Sequence, residues 1–321
     1  MAKIATQKVI PAMQQGRSTQ VTAIASRDRA RAVAAARALG IPRTYGSYEE
    51  LLADADIQAV YIPLPNHLHV PWTIRAAEAG KHVLCEKPIA LTAAEARGVI
   101  EVRDRTGVQI QEAFMVRAHP QWTKTRDLVR RERIGELRSV EGHFSYFNDD
   151  PANIRNIAAF GGGALMDIGC YLINTARFIF QREPRRVSGT IERDRRFGTD
   201  RMTSMLLDFE SGHAAGTCST QMAPYQRVQI FGARGRIEIE IPFNAPPDRP
   251  CRVLVETGGA PDVIDFPVCD QYTLQGDLFS DAVLGGHDLA TPLEDAVSNM
   301  ACIDAVFRSS GSGRWEAPVF D

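Results

Sequence analysis

Between Thr19 and Ala113 short β-branched runs alternate with amphipathic helical stretches, and this alternation constrains the chain more than any other feature. Strands are expected over residues 20–25, 59–62, 82–84 and 109–113. Helices are expected near residues 29–39, 48–52, 68–79 and 93–106, the last opened by Thr92 as N-cap with Glu95 three residues on. Strands joined through helices need crossover connections, so they run parallel. The expectation is a Rossmann-like, doubly wound α/β half.

After a further helix near residues 120–131 the pattern changes to longer alternating strands at 137–147, 187–192, 204–209, 213–219, 228–231 and 236–241. Glu210-Ser211-Gly212 and Gly232-Ala233-Arg234-Gly235 read as hairpin turns, so this half is expected to be α+β with a mostly antiparallel sheet. Helices at 274–284 and 293–307 close the chain. With the boundary near residues 114–117, the expected domains are 1–116 and 117–321. The Arg-rich stretch 182–201 also holds Glu183, Glu192, Asp194 and Asp200, which suits a solvated strand edge better than a binding patch.

A length of 321 residues suits two domains, and 44% apolar with 24% charged residues excludes a disordered or collagen-like chain. A net charge of -2 leaves no electrostatic footprint for nucleic acid or an anionic membrane surface. The six cysteines, at 85, 170, 218, 251, 269 and 302, form no CxxC pair and are expected as reduced core thiols. His67 and His69 have weak metal spacing without a third ligand, so no metal site is expected. No run reaches the ~20 apolar residues of a membrane span and no signal-peptide core opens the chain, which makes a cytoplasmic location the expectation.

Two segments carry chemistry. Cys85-Glu86-Lys87-Pro88 follows a buried strand and precedes a helix, and in an open α/β sheet the strand ends line the ligand crevice. Lys87 would then face cofactor and substrate; a simple surface turn is the alternative. The second segment, Gly161-Gly162-Gly163-Ala164-Leu165-Met166-Asp167-Ile168-Gly169-Cys170-Tyr171, opens a helix with Asp167 and Tyr171 four apart on one face. A phenol with pKa ~10 is a poor base at neutral pH, and a nearby ammonium such as that of Lys87 would lower it. The plainer alternative is a buried Tyr and a helix-capping Asp. Ala25-Ser26-Arg27-Asp28 stands where NAD enzymes carry a ribose-binding acid; Ser26 and Arg27 suit a 2′-phosphate instead, which favours NADP over NAD.

The run Ala77-Glu78-Ala79-Gly80-Lys81-His82-Val83-Leu84-Cys85-Glu86-Lys87-Pro88 closely resembles the hallmark of the glucose-fructose oxidoreductase, inositol dehydrogenase and rhizopine-catabolism family, Gfo/Idh/MocA. Tyr61-Ile62-Pro63-Leu64-Pro65-Asn66-His67-Leu68-His69 and Tyr45-Gly46-Ser47-Tyr48-Glu49-Glu50-Leu51-Leu52 resemble the same family. Glu112-Ala113-Phe114-Met115-Val116-Arg117-Ala118-His119-Pro120-Gln121-Trp122 and Phe147-Asn148-Asp149-Asp150-Pro151-Ala152-Asn153-Ile154-Arg155 look like its branch of xylose dehydrogenases, dimeric dihydrodiol dehydrogenases and glucose-fructose oxidoreductase. The resemblance implies Tyr171 as general acid/base, where other branches carry His, with Asp167 and Lys87 beside it. It implies cofactor contacts from Pro63, Asn66, His69 and Glu86, and a substrate pocket with Arg117, His119, Asn148 and Arg155.

In this family a first strand and a glycine-rich turn normally come first. Here Met1-Ala2-Lys3-Ile4-Ala5 resembles the end of that turn, with Ala2 and Ala5 at its later small positions, so Ala5 would lie near the pyrophosphate and the first strand is expected to be missing. A sequence starting downstream of the true start is the expectation. The resulting reading is a dehydrogenase moving hydride between NADP and a sugar or vicinal-diol alcohol, assembled as a homodimer through the open sheet face. Its rival is a catalytically silent sugar-binding or regulatory protein.

Overall fold

The computed structural model describes residues 2–320. A π-helical turn over Ala5–Val9 continues into α1 (Ile10–Met13). Alternation follows as expected: β1 (Ala23–Ala25), α2 (Arg29–Leu39), β2 (Arg43–Tyr45), α3 (Tyr48–Leu52), β3 (Ala59–Ile62), α4 (His69–Glu78), β4 (His82–Glu86), α5 (Ala93–Thr106) and β5 (Ile110–Ala113). Thr92 caps α5 by accepting from Glu95 N–H, as its spacing indicates, and Ser47 caps α3 in the same way from Glu50.

These five strands pair in parallel but form two sheets, β1–β2 and β3–β4–β5. Among the described residues no strand lies between β1 and β3. Side chains cross the seam instead: Val21 and Tyr61 pack against both the small apolar cluster of Ala5, Ile10, Ile24, Ala36 and Ile41 and the main core. Strand β2 escapes the sequence reading because its three half-buried residues carry no periodicity and are defined only by pairing with β1.

From α6 (Pro120–Arg130) the chain enters an eight-stranded sheet ordered β13-β12-β11-β10-β6-β9-β8-β7. Its members are β6 (Leu137–Phe147), β7 (Arg186–Arg193), β8 (Asp200–Phe209), β9 (Gly212–Ser219), β10 (Gln221–Gly232), β11 (Gly235–Ile239), β12 (Cys251–Glu256) and β13 (Asp262–Phe266). All neighbours are antiparallel except β6 and β9. Strands β12 and β13 were not expected. Cys251, Val253 and Val255 alternate inward, but the stretch is short and sits behind a Pro-rich loop.

Helix α7 (Cys170–Phe180) is apolar nearly all round and buried along its whole length against one face of this sheet. The last helices, α8 (Gln271–Gly285) and α9 (Leu293–Ser312), return to the first half of the chain. Thr273 Oγ1 donates to Ala12 O at 2.8 Å, Asp304 accepts from Ala93 N–H at 2.8 Å, and Asp281 pairs with Arg17 at 2.7 Å. One apolar core therefore runs through both halves, although parallel pairing gives way to antiparallel between Ala113 and Leu137. Among the described residues no helix is long and apolar enough to cross a membrane.

Candidate active site

Strand β4 is central in its sheet, so its carboxyl end is positioned by hydrogen bonds on both sides. Glu86 closes it and accepts from Tyr61 Oη at 2.5 Å. Lys87 follows, before a cis peptide bond to Pro88. Its side chain is only 11% exposed, which rules out the surface-turn alternative. The ammonium donates to the backbone oxygen of Asp167 and lies 3.4 Å from Asp167 Oδ1.

The three glycines before Asp167 are there for space. A Cβ on Gly161 would lie 2.2 Å from Leu91 Cδ2, one on Gly162 2.4 Å from Arg155 O, and one on Gly163 1.8 Å from Asp200 Oδ1. Gly161 and Gly163 also take φ of +75° and +123°, which disfavour any side chain. Asn66 ties this turn to the loop after β3 by donating to Gly161 O at 2.9 Å. Asp200 accepts from Leu165 N–H at 2.6 Å, so Asp200 rather than Asp167 occupies the capping role. A π-helical turn over Leu165–Gly169 then leads into α7. Asp167 is left to face Lys87, Arg155 Nε at 2.8 Å and Tyr146 Oη at 2.6 Å.

Burial alone would push the Asp167 carboxyl up; the Arg155 and Lys87 charges and the Tyr146 hydrogen bond overcome it and hold it well below the usual carboxylate range. Lys87 shows the mirror image, with burial opposed and outweighed by Asp167, so it stays an ammonium at neutral pH. Tyr171 departs from expectation. Its hydroxyl donates to Met115 Sδ at 3.2 Å, and Lys87 Nζ sits over the ring face, 4.8 Å from the centroid, rather than against the oxygen. Burial among Phe114, Phe144 and Phe243 raises the phenol well above its ordinary value, so Lys87 does not bring it into the neutral range here.

Lys87, Asp167, Tyr171 and Arg155 are thus brought together, with Glu86 at the end of β4, Asn66 in the loop region after β3 and Pro63 half-buried directly after β3. Other expected residues are occupied elsewhere. Arg117 is held by Asn174 at 3.2 Å and Asp295 at 3.3 Å in a buried ionic network with Arg177, and it stacks over Phe178, so it is spent on packing rather than on the pocket. His119 caps α6 through Gln121 N–H and meets Cys269 Sγ at 3.4 Å with its other nitrogen, which leaves neither free for a substrate. His69 is buried with a carbonyl at 2.7 Å from each nitrogen, so its ring has no group left for a cofactor. Asn148 orders its own loop by accepting from Asp150 N–H and Asn156 Nδ2, both at 3.1 Å. Ala5 packs in the small apolar cluster, and Ser26 Oγ accepts from Asp28 N–H at 3.2 Å. Arg27 is exposed and has no ion pair among the described residues.

Tyr146 and Glu112 were not singled out from the sequence for this site. Tyr146 sits in an alternating strand whose register alone aims it at Asp167, and Glu112 is a carboxyl inside a buried strand. The one available signal was that charge in β5, where every residue is buried.

A parallel half with charged groups at its strand ends thus faces a sheet domain that closes over them. Residues 1–114 match the oxidoreductase family with an NAD-binding Rossmann fold, and residues 122–238 match the GFO/IDH/MocA C-terminal domain. The chain belongs to the Gfo/Idh/MocA family. It is 50% identical to an oxidoreductase, ORF334, of Rhizobium meliloti, over 98% of this chain and 96% of that one. It is 40% identical to a D-xylose 1-dehydrogenase (NADP(+)) of Haloferax volcanii, over 97% and 96%. Among solved structures it resembles KijD10, a 3-ketoreductase of Actinomadura kijaniata in complex with NADP and TDP-benzene. That match has a TM-score of 0.90 at 32% identity, over 96% of this chain and 95% of that one. KijD10 has also been solved with a lysine changed to alanine and with a tyrosine changed to phenylalanine.

Proposed function

We propose that this protein transfers hydride between NADP and a secondary alcohol, or the matching ketone, of a sugar or vicinal diol. The observation that carries the reading is the buried Lys87–Asp167–Arg155–Tyr146 cluster beside Tyr171, at the carboxyl end of β4. The xylose dehydrogenase relative is named for NADP and KijD10 was solved with it, which supports the cofactor choice.

The donors present fit that cofactor. Arg27 after β1 carries an exposed guanidinium without an acidic partner among the described residues, and Ser26 adds a hydroxyl, a set complementary to a ribose 2′-phosphate. Glu86, Asn66 and Pro63 would border the nicotinamide end. When bound, the nicotinamide supplies or accepts the hydride at C4.

The protein's own part is the proton. Tyr171 Oη now donates to a thioether, a weak acceptor, and a substrate oxygen in its place is a better one. The phenol gives its proton to that oxygen in ketone reduction, and in the reverse direction it is the phenolate that takes the alcohol proton, so oxidation starts from the ionised tyrosine and is favoured by raised pH. Lys87, fixed by Asp167, places positive charge over the face of the Tyr171 ring, where negative charge develops as the proton leaves. Arg155 is 39% exposed while Nε meets Asp167 at 2.8 Å, so part of the guanidinium is accessible to a sugar hydroxyl.

The second copy of a homodimer would cover the sheet face opposite α7, where Leu206 and Tyr225 stand exposed while Met205 and Leu207 point inward. A panel of aldoses, polyols and trans-diols, each assayed with NADP+ and NAD+, tests the activity. Turnover confined to sugar or diol alcohols with NADP+ is expected. Sugar binding without turnover of any member would instead select the silent-binding reading.

A further inference from the structure

Lys87 leaves β4 where the chain turns off the sheet, and its long flexible side chain does not by itself decide where the ammonium points. The next two backbone groups are gripped from opposite sides. Pro88 O lies 2.7 Å from His69 Nδ1 at the start of α4, and Ile89 N–H donates to Glu112 Oε1 at 2.7 Å from β5. His69 Nε2 in turn lies 2.7 Å from Leu64 O, in the loop after β3. Three neighbouring strand ends are therefore linked through one turn, and His69, Ile89 and Glu112 are all buried.

Glu112 is an expensive choice for this contact. Burying a carboxyl is costly unless it is paired, and its second oxygen, Oε2, has no partner among the described residues. A backbone N–H needs only one acceptor, so packing alone does not call for a carboxyl. Burial pushes Glu112 up to about 8, so it stays a neutral acid at pH 7 and does not compete with Asp167 for the ammonium. Burial lowers His69 to about 4, but a carbonyl oxygen stands 2.7 Å from each ring nitrogen, an arrangement in which the ring donates to both and which favours its protonated form.

We propose that Glu112 and His69 are positioning residues, a two-sided clamp on the Lys87–Ile89 turn that keeps Lys87 Nζ on Asp167 and over the Tyr171 ring before any ligand arrives. The clamp rests on the proposed role of Lys87 in the reaction. It acts through backbone placement, and a misplacement of ~1 Å at a reacting group costs up to ~100-fold in rate.

The test reads Lys87 directly, by competitive acetylation followed by peptide mass spectrometry. Exposed Lys124 serves as the reference for free amines and buried Lys81 as the reference for unfolding. Glu112→Leu, which removes the acceptor at similar volume, is expected to speed Lys87 labelling at least ~10-fold with Lys81 unchanged. Its kcat for D-xylose with NADP+ should fall ~10–100-fold while KM stays within ~3-fold. Glu112→Gln keeps a neutral acceptor and should restore both to near wild-type values.

If Lys81 labels faster as well, Glu112→Leu has unfolded the domain, and the pair His69→Leu and His69→Asn decides, the second keeping a donor toward Pro88 O. Unchanged Lys87 labelling in a folded Glu112→Leu protein, or equal losses in the Leu and Gln variants, overturns the clamp. Full activity of Lys87→Ala would instead remove the functional reading, while the labelling result still judges the clamp.

Discussion

Lys87 and Arg27 each come just after a parallel strand, yet they are held in opposite ways. Lys87 is nearly buried, bonded to Asp167, and followed by backbone groups clamped by His69 and Glu112. Arg27 stands in solvent with no ion pair among the described residues, after a strand of three residues in a two-stranded sheet. In the proposed reaction, one end of the crevice is built before ligand binds and the end assigned to Arg27 is left open. A reacting group gains from being fixed, because any freedom it keeps is lost again at the transition state. A phosphate-binding Arg gains less, since its ligand is itself a strong, geometrically demanding partner.

The sharpest way to break this contrast is at the built end. Lys87→Ala and Tyr171→Phe are each expected to lower kcat at least ~100-fold with NADP affinity and melting temperature little changed. The double variant should lose less than the product of the two, because both act on one proton transfer. Steady-state rates with fluorescence titration of NADPH check it; a variant that keeps wild-type kcat takes its residue out of the mechanism.

At the open end, Arg27→Ala should weaken NADP by ~10–100-fold, the equivalent of about 1.5–3 kcal/mol for a hydrogen bond to a charged group, and leave NAD unchanged. Parallel calorimetric titrations with both cofactors decide; equal weakening would place Arg27 outside the phosphate site. A smaller effect separates the two ends without mutation. Raising the ionic strength from ~0.05 to ~0.5 M should raise KM for NADP a few-fold, since an exposed guanidinium is screened, and leave kcat nearly constant, since the buried Lys87–Asp167 pair is not. A parallel fall in kcat would mean that the Lys87 end is far more solvated than its packing indicates.

The contrast also separates what could be read locally from what could not. Helix periodicity, Thr92 as a cap, the Lys87 turn after a buried strand and the one-turn spacing of Asp167 and Tyr171 all depend on residues within a few positions of each other. Arg117 and His119 misled for the same reason. They lie beside the end of β5, where a pocket was expected, but their partners Asp295 and Cys269 come from the far end of the chain. Tyr146 was invisible because its aromatic ring fits an ordinary alternating strand, and only the fold puts its hydroxyl 2.6 Å from Asp167.

The sequence by itself determined the class of the fold and the residue types at the ends of the parallel strands, because 3.6-residue and two-residue periods and turn chemistry are properties of short segments. Tertiary structure decided protonation and contact. Lys87 and Asp167 are 80 residues apart, and whether they meet, and which of Lys87, Asp167, Tyr171 and Glu112 carries charge at neutral pH, depends on desolvation by segments drawn from the whole chain. No local pattern encodes that burial. It is set only when α7 and the eight-stranded sheet close over the strand ends, and the same closure turns the phenol of Tyr171 into a strongly held proton rather than the readily ionised base expected beside the Lys87 ammonium.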